Sequence, residues 1–289
     1  MELFDALRAR TSCRSFSSRV PGNKVQVDLL NYLNNVPVLL PEADISIELL
    51  SYEDLQEYFP GDAESMIRAP LYLAFRGNMG LYQFMNVGYY AEHAAVWLTG
   101  RGLGSVWQTG FKLRTLQEDE FIDEISQNES FDDDELESGV KSLLPAVFAL
   151  GYPNNPSSKT THKKKLSRIS LTKVSEMNNN VLSLLEASRL APSEYNFQPW
   201  RYAVDGNLIH IFMKESNLFR SQQRQNTRQI SMGSSLGNME IMAALRGIRL
   251  DYGFMDDVPE YGQSRGNLYY LGTITVEKVY TQMMFGIDY

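Results

Sequence analysis

The chain has 289 residues and a formal net charge of -8, a balance that excludes nucleic acid and anionic membrane surfaces as partners because neither offers an acidic protein anything to neutralise. With 43% hydrophobic residues it is long enough for two moderate globular units, and no stretch approaches the roughly 20 apolar residues of a membrane-spanning helix. A small molecule is the expected partner.

The N-terminal MELFDALRARTSC lacks the apolar core of a signal peptide. Cys13 is the only cysteine, so no intrachain disulfide can form, and the reducing cytoplasm is the expected compartment. His93, His162 and His210 are scattered with no thiol cluster, so a protein-built zinc site is not expected. Arg10, Ser12 and Arg14 alternate, and an extended segment would point all three to one side, where they could grip phosphate oxygens. Read alone, such a short basic segment is usually a solvated surface.

Downstream, LLNYLNNVP runs from Leu29 to Pro37 with a leucine pair and a terminal proline, and PLYLAFRG at Pro70 to Gly77 reads as a strand. GYYAEHAAVWLTGRGL, from Gly88, places Ala91, Ala94, Ala95 and Leu98 on one helical stripe toward a core. GRGLGSVWQTGF follows it at Gly100 to Phe111. A dinucleotide fingerprint follows a strand and opens a helix, and this glycine series follows a helix instead. The acidic run Asp132 to Glu135 reads as a solvated loop, and PAVFALGY as a strand.

NNPSSKTTHKKK at Asn154 to Lys165 is polar and rich in turn formers, which sets a boundary between units 1–160 and 161–289. Beyond it come the helix LLEASRLA, the loop APSEYNFQPW at Ala191 to Trp200, the strands WRYAV and NLIHIFMK, the helix GSSLGNMEIMAALRGI from Gly233, and the strand LYYLGTITV. In the second long helix the core stripe is Leu236, Met239 and Ala243. Helices mixed with short strands predict an α+β fold, with helices packed around a central, mostly antiparallel sheet.

The halves echo each other. Gly88 and Gly102 of Arg101-Gly102-Leu103 are spaced as Gly233 and Gly247 of Arg246-Gly247-Ile248, half a chain later. LLNYLNNVP has the outline of LLEASRLAP at Leu184 to Pro192, with the same leucine pair and terminal proline. Continued backwards, that register sets Arg10, Ser12 and Arg14 against Lys165, Ser167 and Ile169. Each half keeps one part of a site and lacks the other.

Three segments together resemble the FMN-dependent nitroreductase family: RTSCRSF at Arg10 to Phe16, the Gly-Leu and Gly-Phe pairs of GRGLGSVWQTGF, and above all APSEYNFQPW. The resemblance covers most of residues 1 to 170 and, more weakly, 171 to 276. In that family the APS-N-QPW turn contacts the FMN of the partner subunit, whereas here it lies in the second half of the same chain. The layout looks like a single-chain branch of the family, two nitroreductase-like repeats forming an intramolecular pseudo-dimer.

The resemblance implies FMN contacts at Arg10, Ser12 and Arg14, backbone donors at Thr109 and Gly110 for the flavin N5 edge, and Pro192, Ser193, Glu194 and Asn196 around the ring. Gln198 through Trp200 are expected to be structural. KKKLSRISLTKV resembles the basic tail that closes the phosphate pocket, which implies roles for Lys163 and Lys165; read without the family it is a charged linker. Where family members often carry Asn and Lys for flavin N1 and O2, this chain has GDAESMIRA, with Asp62 and Ser65 nearest those positions and Arg68 as a substitute cation. The second half reads GIRLDYGFM where the Gly-Leu-Gly series would be, so one flavin site per chain is expected.

The implied activity is hydride transfer from NADH or NADPH through FMN to a nitroaromatic or quinone-like acceptor, with no catalytic side chain, because the cofactor carries the chemistry. The alternatives are a flavin carrier or sensor without turnover, and another redox use of the scaffold such as dehalogenation. A monomer is expected, since the partner turn is covalently supplied.

Overall fold

A computed structural model describes residues 1–40, 45–59, 61–77, 82–109, 142–155, 171–173, 178–214, 222–256, 258 and 268–278. Helices α1 (Leu3–Ala9) and α2 (Asn23–Asn34) lead into strand β1 (Ile45–Leu50), helix α3 (Tyr52–Tyr58), strand β2 (Leu71–Gly77), helix α4 (Gln83–Gly100) and strands β3 (Gly104–Thr109) and β4 (Ser142–Gly151). Then come β5 (Leu171–Lys173), α5 (Asn179–Ser188), β6 (Trp200–Asp205), β7 (Leu208–Lys214), α6 (Gln222–Arg246), β8 (Ile248–Gly253) and β9 (Leu268–Lys278).

The strands form two sheets rather than the single central sheet expected. The first is four-stranded, β1-β2-β4-β3; the second is five-stranded, β5-β6-β7-β9-β8, and only β5 runs parallel to its neighbour. Leaving out β5, the two orders correspond strand for strand. Each sheet also has a register irregularity at the matching place, between Ala74 and Arg76 in β2 and between Ile211 and Phe212 in β7. The last residues of β1 and β6, Leu50 and Asp205, are separated by the same interval as Leu29 and Leu184.

Strands β2 and β4 of the first sheet are buried on both faces. Leu71, Leu73 and Phe75 join the large core shared with the helices, while Tyr72 and Ala74 pack against Leu55 and Phe59 of α3 and its exit. Residues that alternate between two apolar environments have no reason to alternate in polarity. This is why PLYLAF and PAVFAL read as continuous apolar runs.

Helix α4 departs from the one-stripe expectation, since every residue from Gln83 to Leu98 is buried. It lies among α1, α2, α6 and the first sheet, so no face is left for solvent. Its crossing with α6 is close because glycines stand at the contact. A Cβ on Gly88 would sit 2.0 Å from the Ile230 carbonyl oxygen, and one on Gly233 would sit 1.8 Å from that of Met85. The relation is reciprocal, as in an isologous dimer contact.

Both long helices stop on a left-handed glycine, Gly102 (φ 76°) and Gly247 (φ 61°), where a side chain would strain the backbone. At α4 the Leu103 amide donates to the Leu98 carbonyl and the Gly102 amide to that of Thr99, both near 3 Å. Sequence reading found β2, β4, β6, β7 and β9; it gave no strand at β1, β3, β5 or β8. Among the described residues no helix is long and apolar enough to cross a membrane, and no group of three or more His, Cys, Asp or Glu could hold a metal ion.

Candidate functional site

The loop after α5 is the most strained backbone described. Tyr195 (φ 46°), Asn196 (φ 61°) and Gln198 (φ 50°) are left-handed without being glycine, an arrangement that surrounding bonds must hold. Those bonds are present. The Ser193 hydroxyl accepts from the Gln198 amide at 3.0 Å, the Asn196 and Phe197 amides donate to the Ser193 and Glu194 carbonyls, and the Ser231 hydroxyl on α6 accepts from the Glu194 amide at 3.4 Å.

The side chain of Gln198 donates through Nε2 to Asn196 Oδ1 at 2.8 Å. That bond fixes the Asn196 amide so that its Nδ2 donors remain for something outside, and Asn196 is exposed. Gln198 Oε1 is buried with no donor among the described residues. Trp200 is fully buried as β6 begins. The loop is thus a braced turn presenting polar donors. Tyr195 (78% exposed) and Phe197 (61% exposed) stand beside them, ring to ring at 5.9 Å in an edge contact.

The N-terminal arm is placed by three attachments. The Met1 amine donates to the Gly100 carbonyl at 3.3 Å, Ser12 bridges Ser105 of β3, and the Cys13 amide donates to the Ser105 carbonyl at 2.9 Å. Alternation along the arm does not bring Arg10, Ser12 and Arg14 to one exposed side. Arg10 turns inward, its Nε 3.2 Å from Glu92 Oε1 of α4, with side-chain exposures of 6% and 0%. Ser12 is half-buried and Arg14 is exposed. The physical reason is the buried carboxylate, which needs a cation within the protein. Burial also pushes the Cys13 thiol up from its ordinary value, against reactivity.

Thr109 is half-buried at the end of β3, so the segment expected as a donor loop is a strand up to that residue. Gly110, Lys163 and Lys165 lie outside the described residues. Before β2, Gln108 of β3 clamps Ile67, accepting from its amide at 2.5 Å and donating to its carbonyl at 3.2 Å. The Ser65 hydroxyl donates locally to the Asp62 carbonyl, and the Arg68 guanidinium lies over the Tyr52 ring, 4.5 Å from its centroid.

Arm and turn share a support. Leu190, just before the turn, packs on Ala6 and Leu7 of α1 together with Val96 of α4 and Ile241 of α6. Sequence reading missed Glu92, Ser231 and Gln108. For Glu92 a signal existed, a lone carboxylate beside His93 in an otherwise apolar stretch. For Ser231 and Gln108 there was none, because each acts only through a partner distant in sequence.

Phosphate needs an exposed cation and a heterocycle edge needs fixed donors and acceptors. Arg14 is an exposed cation and the Ser193–Asn196 turn presents fixed polar groups, the two kinds of group that a phosphorylated heterocycle such as FMN requires. Arg10, facing Glu92, does not meet the first by itself.

The fold matches solved nitroreductase structures. A crystal structure of "a putative nitroreductase" from Thermotoga maritima MSB8 superposes with a TM-score of 0.56 at 16% identity, covering 96% of this chain and 94% of that one. A nitroreductase family protein from Clostridium difficile 630 covers 59% of this chain and 95% of its own, with a TM-score of 0.41 at 18% identity. An FMN-dependent nitroreductase from Clostridium difficile R20291 covers 52% of this chain and 87% of its own, with a TM-score of 0.36 at 15% identity. This is the fold class of an oxidoreductase family. Residues 2–243 match the family model described as "Putative TM nitroreductase", and the chain belongs to that family. No curated protein matches.

Proposed function

We propose that the chain binds one FMN and acts as an NAD(P)H-dependent oxidoreductase of the nitroreductase type, reducing nitroaromatic or quinone-like acceptors in the cytoplasm. The observation that carries this reading is the braced turn at Ala191 to Trp200, which holds the Asn196 amide donors outward at the cost of three left-handed residues. Strain of that kind, about 1–3 kcal/mol per residue, is concentrated at ligand-holding sites.

When bound, FMN supplies two-electron redox chemistry, so the protein needs no acid-base pair of its own. The residues of the chain bind and orient. Arg14 would provide the exposed cation for the phosphate and Ser12 a hydroxyl, and Lys163 and Lys165, which lie outside the described residues, would add the basic groups that the family resemblance implies. Thr109 and Gly110 would supply backbone N–H groups for the N5 edge, where a fixed dipole would tune the ring without offering a competing acid. Pro192, Ser193, Glu194 and Asn196 line the ring from the second half.

On this reading units 1–160 and 161–289 are fused repeats, and the chain is a pseudo-dimer within one polypeptide. The identical strand orders and the reciprocal contacts of Gly88 and Gly233 support it. A second reading, a flavin-binding protein without turnover, is favoured by one observation: Arg68, the substitute cation for flavin N1, is stacked on Tyr52.

Titration of the purified protein with FMN, followed anaerobically by NADPH and then a quinone, separates these. The enzyme reading expects a shifted flavin spectrum that bleaches and recovers. A bound flavin that NADPH and NADH leave oxidised selects the second reading, and a protein whose addition leaves the FMN spectrum and fluorescence unchanged sinks both.

A further inference from the structure

The ion pair between Arg10 and Glu92 is unusual for where it lies. Glu92 sits in the middle of α4 among residues that are buried on every side, and its side chain is 0% exposed. Enclosing two charges in the interior is costly, and a well-packed apolar pair would serve stability as well or better. A role in orientation accounts for the pair more readily than stability does.

The geometry supports orientation. Arg10 is the residue at which α1 ends, and its own amide donates to the Ala6 carbonyl at 2.9 Å. Two residues later Ser12 is held against Ser105 of β3. Glu92 Oε1 stands 3.2 Å from Arg10 Nε as an ion pair without hydrogen-bond alignment, so the carboxylate lies on the Nε side of the guanidinium. A guanidinium has a second edge, formed by its terminal nitrogens, whose spacing matches two oxygens of a phosphate.

We propose that Glu92 is a positioning residue: it holds Arg10 by the Nε edge so that the terminal-nitrogen edge faces the phosphate of FMN. This rests on the FMN reading above, and assigns the net positive charge at the phosphate to Arg14, because the Arg10–Glu92 pair is neutral as a unit. Glu92 touches neither cofactor nor substrate on this proposal and acts only through Arg10.

Riboflavin, which lacks the phosphate, provides the discriminating probe. Dissociation constants for FMN and riboflavin are measured by flavin fluorescence on the wild type, Glu92→Ala, Glu92→Gln, Arg10→Ala and the Arg10→Ala/Glu92→Ala double variant. Thermal melts establish which of them are folded. Glu92→Ala is expected to weaken FMN roughly tenfold, the loss of one charge-assisted hydrogen bond, while riboflavin binding stays within about twofold. Glu92→Gln keeps the side-chain shape and a carbonyl dipole on the Nε side while losing the charge, and is expected to fall between Glu92→Ala and the wild type.

In the Arg10→Ala background, removing Glu92 is expected to leave the FMN-to-riboflavin ratio unchanged. If Glu92→Ala does not fold, Glu92→Gln and Arg10→Ala carry the comparison. Equal weakening of both ligands makes the pair merely structural and overturns the proposal. Tighter FMN binding in Glu92→Gln overturns it too, since Glu92 would then compete with phosphate for Arg10. A wild type that binds riboflavin and FMN alike refutes the positioning role while leaving flavin binding intact, and a wild type that binds neither ends both readings.

Discussion

Gly88 and Gly233 are the residues with least room for change. Each would push a Cβ into a carbonyl of the facing helix at 2.0 Å or less, and helix backbone cannot yield locally. Gly88→Ala or Gly233→Ala is expected to destabilise by about 1–3 kcal/mol or more, read as a lower urea midpoint at unchanged slope. His93 is the residue with the clearest pH signature. Burial pushes its imidazole down from 6.5 to about 3, and its Nδ1 meets the Tyr32 hydroxyl at 3.1 Å. The unfolded chain takes up this proton near pH 6.5 and the folded chain does not until about pH 3, so His93 contributes stability above 6.5 that is lost as pH falls toward 3. Urea midpoints across that window should drop with acid in the wild type and drop less in His93→Gln. At the proposed site, Asn196→Ala and Arg14→Ala are expected to lower activity by lowering flavin content. Normal kinetics with full flavin occupancy in either variant would count against its role.

At the scale of elements, both long helices depend on the glycine that ends them. Gly102→Ala and Gly247→Ala are each expected to cost about 1 kcal/mol or more, because alanine at positive φ is strained and the terminal carbonyls lose their capping geometry. Equilibrium denaturation of the two single variants checks this, and equal losses would fit elements of common design. Helix α3 is held at its start by a different device, a capping box in which the Asp54 amide donates to Ser51 Oγ at 3.1 Å and the Ser51 amide to Asp54 Oδ2 at 2.7 Å. This reciprocal pair draws the Asp54 carboxyl below its ordinary value. The turn at 191–200 belongs to this scale too, since its conformation is imposed by Ser193, Gln198 and Ser231 rather than by any glycine.

For the whole molecule, the two sheets share one core in which residues of α2, α4, α5 and α6 meet strands from both halves. The first half adds a smaller cluster of its own around Leu55, Phe59, Tyr72 and Val147, but the large core joins both halves, so the chain is expected to unfold as one unit. Because the turn that other family members would take from a second subunit is supplied in cis on the proposed reading, we expect a monomer with one flavin per chain. Sedimentation equilibrium together with flavin-to-protein stoichiometry checks this; a dimer in which residues 191–200 of one chain complete the site of another would overturn it.

The sequence by itself determined helices α4, α5 and α6 and five of the nine described strands, because glycine stops, prolines and apolar runs act locally. It also marked the internal echo and the APSEYNFQPW turn, whose residues carry their meaning in their order. Helices α1 and α3 and strands β1, β3, β5 and β8 escaped it, as did the division into two sheets, since pairing depends on neighbours distant in the chain. Tertiary structure alone decided that Arg10 turns inward: alternation predicts which side of a strand a residue occupies, but the buried carboxylate of Glu92, contributed by a helix far along the chain, determines where the guanidinium goes. The same holds for Asn196, whose amide is oriented by Gln198 and whose turn is held by Ser231. Sequence names the groups able to bind a ligand; only packing decides which of them are already engaged.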